Sequence, residues 1–275
     1  MSLPFAFGAT ALWGAADFLA ALDAGRTGVF AALLASQPLG LAAATVWVGV
    51  GGDPVPPPGA LAVAALGGVV GALAVAALWL AMNRTGFGIA SPISASGVLV
   101  PFAYGLLVGR PPSTAQLVGC AVAICGLLCI VAPARGQTQA TGQAVALALG
   151  AAAGFGFLFV AVAAASRTNA AWALLASRLG GTGVVAAALV WRPQLRPPPS
   201  TVPRRATAAG FLEAGGSALY ALATHTGRVA LAAVASSLYP AVTALLARLL
   251  LGERLRPAQR IGGALIAAGA ALLAS

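Results

Sequence analysis

Ten apolar runs follow one another along the chain with no polar domain between them. Each is close to the ~20 residues that carry a helix across the hydrocarbon core of a bilayer. Lipid offers backbone N–H and C=O groups no partner, so such runs can only fold as a bundle of membrane-spanning helices. Read against Pro, Gly and Arg punctuation, they predict helices over 3–22, 28–50, 59–81, 87–108, 113–132, 142–165, 170–191, 206–226, 229–250 and 257–274. The composition agrees, with 60% of the residues hydrophobic and 7% charged, against about 25% charged in an average soluble domain. The expected fold class is an all-α membrane protein. The first run contains Asp17 and follows Met1-Ser2-Leu3-Pro4, which supplies no basic segment, so it is expected to be a retained helix and not a signal peptide.

The net charge of +10 would suggest a nucleic-acid partner in a soluble chain. Here every basic residue is Arg and most fall in the short connections, where they set topology, so the expected partner is the bilayer, with no nucleic acid. Cys120, Cys125 and Cys129 share one apolar run with no His nearby in sequence. They are read as packing residues, and neither a metal nor a cofactor is expected.

An internal repeat organises the ten spans. Shifting the chain by 143 residues places Gly109, Ala115, Gln116, Gly119, Ala121 and Gly126 on Gly252, Ala258, Gln259, Gly262, Ala264 and Gly269. Shifting by 141 places Ala77-Leu78-Trp79 on Ala218-Leu219-Tyr220 and Thr85-Gly86 on Thr226-Gly227. Pro-rich connections at 51–58 and 192–199 both lie between the second and third spans of a five-span set. The expected units are residues 1–135 and 142–275. Five is odd, so the second unit enters the membrane from the opposite side, giving two inverted five-helix repeats. Secondary transporters use this arrangement because two equivalent halves can open a central site alternately to each side.

The turn Leu251-Gly252-Glu253-Arg254-Leu255 with Gln259 and Gly262, preceded by Ser237-Leu238-Tyr239-Pro240, resembles the repeat signature of the drug/metabolite transporter superfamily in its ten-helix EamA-type branch. Trp13-Gly14-Ala15-Ala16-Asp17-Phe18, Pro92-Ile93-Ser94-Ala95 and Gly109-Arg110-Pro111-Pro112-Ser113 are similar to one bacterial group within it. The resemblance covers essentially the whole chain. It implies a transporter of the cytoplasmic membrane, a cavity lined by spans 1, 3, 4, 6, 8 and 9, a periphery of spans 2, 5, 7 and 10, and cytoplasmic termini. The Arg distribution instead places both termini outside. Arg110 stands where the family usually has the acid matched by Glu253, so no paired role of the two turn residues carries over.

Two acids, Asp17 and Glu213, lie well inside predicted spans, and an ionisable group at such depth marks a substrate or proton path by default. At 1.5 Å per residue they lie roughly 8 and 10 Å from the same membrane face, at matched depth. Glu213, Ser217, Tyr220 and Thr224 recur at helical spacing on one face, a polar stripe that should face protein or water. Trp13, one turn before Asp17, can form an amphipathic wall with Trp79 and Tyr220, or serve packing, and Tyr239 is a further candidate for the substrate or ion pathway. Pro92, Pro101 and Pro240 interrupt backbone hydrogen bonds inside spans and are candidate hinges; Ser94, Ser96, Ser236 and Ser237 beside them can bind solute or pack helices. Arg178 can counter a buried acid or snorkel outward, and snorkelling to the nearer membrane face or a helix-terminal contact is the preferred reading. The glycine stripes Gly119/Gly126 and Gly262/Gly269 are expected to pack against each other, or against a second copy in a homodimer.

The reading that joins these features is a secondary transporter for a small organic metabolite, an amino acid or a related compound, with export favoured and Asp17 and Glu213 as proton carriers. An uncoupled facilitator on the same scaffold is the alternative. A membrane enzyme acting on lipid would need a nucleophile and base or a metal set, and the chain offers one His with no acids near it.

Overall fold

Size sorting of the side chains, in the reverse of a soluble core, shapes the structure. In a computed structural model of the chain, Ala6, Ala64, Ala123, Ala148, Ala163 and Ala232 are fully enclosed, whereas Val50, Leu107 and Trp191 are 83%, 85% and 84% exposed. Small residues inside let helix backbones approach, and large apolar ones outside meet lipid tails, as expected where lipid replaces water. The residues described are 2–27, 29–85, 93–94, 96–108, 111–131, 142–192, 204–225, 229–251 and 257–274, and among them regular structure is helical throughout.

In chain order the helices are α1 (Ser2–Thr27), α2 (Val29–Gly51), α3 (Pro58–Thr85), α4 (Leu99–Val108), α5 (Thr114–Val131), α6 (Gly142–Ser166), α7 (Ala170–Trp191), α8 (Arg204–His225), α9 (Val229–Ser236), α10 (Tyr239–Leu251) and α11 (Pro257–Ala274). Pro58–Leu78, Gly142–Ser166 and Ala170–Trp191 are each long and apolar enough to cross a membrane. With the shorter apolar helices beside them, this makes the chain an integral membrane protein.

Two predicted spans are broken where continuous helices were expected. The fourth span contains a 3-10 turn at Ser96–Val98 before α4 begins at Leu99. Pro101 sits in the first turn of α4, where its missing N–H is tolerated, and it could not donate to Gly97 in a continued helix. The ninth span is likewise split into α9 and α10 by a turn at Ser237 and Leu238. Pro240 is the second residue of α10 and has no N–H to give Ser236. Pro101 and Pro240 therefore mark helix starts and not bends within helices. Pro92, Gly109, Arg110 and the turn 252–256 lie outside the described residues.

Glycine sets the helix crossings. The stripes of α5 and α11 face each other within the chain: a Cβ on Gly119 would lie 3.0 Å from the Gly269 carbonyl oxygen, and one on Gly269 2.8 Å from that of Gly119. At the crossing of α3 and α7, a Cβ on Gly68 would lie 1.8 Å from the Ser177 oxygen and one on Gly180 2.0 Å from the Ala65 oxygen. The Pro-rich connection after α2 is tied down by polar contacts. Asn169 caps α7 by accepting from the Trp172 N–H at 3.0 Å and donates to the Asp53 carboxyl at 2.8 Å.

The helix pairings are reciprocal. The first span packs on α8 as the third packs on α6, and the second packs on α8 as the third packs on α7. α5 with α11, α4 with α9, and α2 with α7 close the arrangement.

Candidate functional site

The pairing of these helices leaves a cavity of about 240 Å³ at their centre. Residues of α1, α2, α3, the 94–98 segment, α6, α7, α8 and the α9–α10 junction line it. Helices α2 and α7 were expected at the periphery, yet Gln37 of the first and Leu174, Ser177, Arg178 and Gly181 of the second reach the wall. Bare glycine backbones explain this, because α7 presses against α3 at Gly68 and Gly180 and so brings its inner face to the centre.

One side of the cavity is aromatic. Trp13 stacks at ring-centroid distances of 5.5 Å from Phe159, 5.8 Å from Tyr220 and, edge to face, 6.3 Å from Tyr239. Two glycines seat this indole. Gly216 lets the ring lie flat on α8, where a Cβ would come within 2.6 Å of it, and the indole N–H donates to the Glu213 carbonyl at 3.2 Å. Gly14 lets α10 approach α1, with Thr243 donating to the Gly14 carbonyl at 3.0 Å, and this places Tyr239 beside Trp13. The Tyr220 hydroxyl donates to the Phe159 carbonyl at 3.3 Å, which ties α8 to α6.

Gly216→Ala should therefore disturb the site more than Gly215→Ala, although the residues are neighbours. The new methyl at 216 meets the face of a ring fixed on three sides, whereas at 215 it meets only the far end of Leu12, 2.9 Å away and free to rotate. The expected stability loss is about 1–3 kcal/mol for Gly216→Ala and under about 1 kcal/mol for Gly215→Ala, read by thermal unfolding in detergent.

The adjoining part of the wall is charged. The Arg178 guanidinium forms a two-pronged ion pair with the Glu213 carboxylate, Nη2 donating to Oε1 at 2.8 Å and Nη1 to Oε2. Nη2 also donates to the Ser217 hydroxyl at 2.7 Å, and that hydroxyl donates to Glu213 at 3.2 Å. The side chain of Arg178 is 10% exposed and that of Glu213 42%, so the acid stands in front of the base. This corrects the reading of Arg178 as a snorkelling residue. With 10% of its side chain exposed, it finds its partner on α8, and Gly40 leaves room for its guanidinium end, which a Cβ there would crowd at 3.1–3.3 Å. The alternative that Arg178 counters a buried acid is the one this geometry supports.

Asp17 also lines the cavity and is exposed to it. Glu213 and Tyr239 line the same cavity. Among the described residues no ion pair or hydrogen bond engages the Asp17 carboxyl group.

Of the residues singled out from sequence, Trp13, Asp17, Ser94, Glu213, Ser217, Tyr220, Ser237 and Tyr239 meet at this cavity. Others do not. Thr224 is fully enclosed and donates to backbone carbonyls of its own helix, Ser236 does the same to Ala232, and Ser96 donates to Ile93 at 2.6 Å. Pro101 is buried outside the wall. The Trp79 and Pro240 side chains lie outside the described set. Phe155 and Phe159 were missed, since aromatic residues in an apolar span carry no mark of facing a cavity. Among the described residues no group of His, Cys, Asp or Glu could hold a metal ion.

The sequence model of the family described as EamA-like transporter family matches residues 142–275. One solved crystal structure, titled only as that of a protein, superposes with a TM-score of 0.78 at 20% identity, covering 99% of this chain and 98% of the other. At that identity the likeness is one of fold. No curated protein matches in sequence. Residues 142–275 thus carry the match to the EamA-like transporter family, which is part of the drug/metabolite transporter superfamily.

Proposed function

We propose that the protein is a secondary transporter that moves a small organic metabolite, an amino acid or a related compound, outward across the cytoplasmic membrane. Two inverted five-helix halves, residues 1–135 and 142–275, alternate around the cavity, and Asp17 with Glu213 exchanges protons with the transported solute. The observation that carries this reading is a cavity of about 240 Å³ at the centre of an apolar bundle, with two acids in its wall. The reciprocal helix pairing supports it, because it leaves the centre as the place where equivalent halves meet. The helix breaks ahead of α4 and α10 support it too, since unwound backbone at membrane depth is tolerated where it borders protein or a cavity.

Among the described residues, the charged and titratable groups that share the cavity with Asp17 are Glu213, Arg178, Tyr220 and Tyr239. Liposomes holding the purified protein should show solute movement driven by an imposed pH gradient. Asp17→Asn should reduce the gradient-driven rate at least about tenfold, as expected for loss of a proton-transfer group. Glu213→Gln should give a smaller loss, because Arg178 engages that acid. If both variants leave the pH dependence of transport intact, the coupling assignment fails, and a pH-independent rate in the wild type would favour the uncoupled facilitator.

A further inference from the structure

We infer that the solute is an organic cation, an ammonium group on a small apolar or aromatic body, recognised without any need for a carboxylate. This rests on the transporter reading of the cavity and, within it, replaces the amino acid by an amine that lacks the carboxylate.

The charged residues of the described wall are Asp17, Glu213 and Arg178. Arg178 is withdrawn behind Glu213, with 10% of its side chain exposed against 42% for the acid, and both of its terminal nitrogens are engaged by Glu213 and Ser217. An anionic group entering the cavity meets carboxyl groups first and finds the guanidinium occupied. Asp17 is the reverse case: it opens on the cavity and, among the described residues, no cation stands against it. A carboxylate in an apolar wall calls for an opposite charge from whatever fills the space.

The rings complete the argument. Trp13 lies one turn from Asp17 on the same helix face, Tyr239 packs edge to face on Trp13 and lines the same cavity, and Phe159 and Tyr220 continue the wall. Ring faces attract ammonium groups and pack against apolar bodies, whereas a hydrated metal cation gains little from them. The hydrogen-bonding groups of the walls are largely committed, the indole N–H to Glu213 and the Tyr220 hydroxyl to Phe159. A heavily hydroxylated solute would thus find few partners.

The test uses the purified full chain in detergent with four probes: 2-phenylethylammonium chloride, 2-phenylethanol, L-phenylalanine and sodium chloride. The ammonium compound should raise the apparent unfolding temperature saturably by about 3–8 °C, with little shift from the other three. Asp17→Asn should weaken that binding roughly 30-fold, and Asp17→Glu, which keeps the charge, should retain most of it. An equal shift from the alcohol or from sodium chloride would overturn the inference, as would tighter binding of phenylalanine or unchanged affinity in Asp17→Asn. Should Asp17→Asn not fold, the wild-type ranking of ammonium over alcohol and zwitterion decides alone. Ammonium binding without movement in liposomes would leave this assignment standing and sink the transporter reading. Transport of a neutral or anionic solute by a protein that ignores the ammonium compound would do the opposite.

Discussion

Gly68→Ala should abolish or severely reduce recovery of folded protein, although it adds one methyl group to an apolar helix. The added carbon would stand 1.8 Å from the Ser177 carbonyl oxygen, and also 2.6 and 2.9 Å from the carbonyl carbon and Cα of that residue. These are backbone atoms of α7, so no rotamer change relieves the overlap and the two helices must separate. Overpacking usually costs about 1–3 kcal/mol when side chains can adjust. Here the expected loss exceeds about 3 kcal/mol, the upper end of that range, because the crossing itself has to open. Gly180→Ala should behave alike, with its new carbon 2.0 Å from the Ala65 oxygen of α3. Gly183→Ala on the same helix and Gly150→Ala on α6 meet nothing within 4 Å. They should be neutral or stabilising by about 0.5–1 kcal/mol, since alanine loses less backbone freedom in a helix than glycine. Size-exclusion profiles of the four variants, followed by thermal unfolding of those that elute as single species, check this. A Gly68→Ala protein that elutes and melts like the wild type would refute the crossing geometry.

Neutralising one member of the Arg178–Glu213 pair should be worse than neutralising both. Glu213→Met strands a guanidinium that is 10% exposed, with only the Ser217 hydroxyl left to it, at a cost of about 3 kcal/mol for an uncompensated buried charge. Arg178→Met leaves a carboxyl group that is 42% exposed to the cavity, so water screens it and the expected loss falls to about 1 kcal/mol. The double variant removes both charges and replaces them with apolar bodies of similar length. It should recover most of the wild-type stability, because burying the pair cost desolvation that its attraction only partly offsets. A double-mutant cycle on unfolding temperatures gives the coupling directly. Strictly additive losses would mean that the two side chains do not interact in the folded protein.

Much of the architecture follows from local pattern. Apolar runs of membrane length must become helices because lipid leaves their backbone groups no other partner, and that argument needs only residue order. The matched glycines of α5 and α11 were legible for a similar reason: spacing of seven puts them on one face, and small faces pack closely. The breaks in the fourth and ninth spans were signalled by Pro101 and Pro240, but not whether each proline would bend a helix or start a new one. That choice depends on what packs at the break, such as Thr10 donating to the Ala235 carbonyl at 2.6 Å and the Ala152 carbonyl pressed against Gly97.

The site divides along the same line. Asp17, Glu213 and the polar stripe of α8 announced themselves through the cost of charge and hydroxyl in an apolar span, a property of single residues that needs no partner to be known. Their convergence on one cavity followed from the pairing of α1 with α8. Which acid is engaged and which is open did not follow, because the answer lies with Arg178 on α7, 35 residues from Glu213 in the chain and brought to it only by the crossings at Gly40, Gly68 and Gly180. Sequence alone thus determined that this chain spans a membrane as helices and where charge enters it, since both are consequences of transfer from water to lipid. The tertiary structure alone decided which charges cancel and which face the cavity, since that depends on distances between helices that no residue carries by itself.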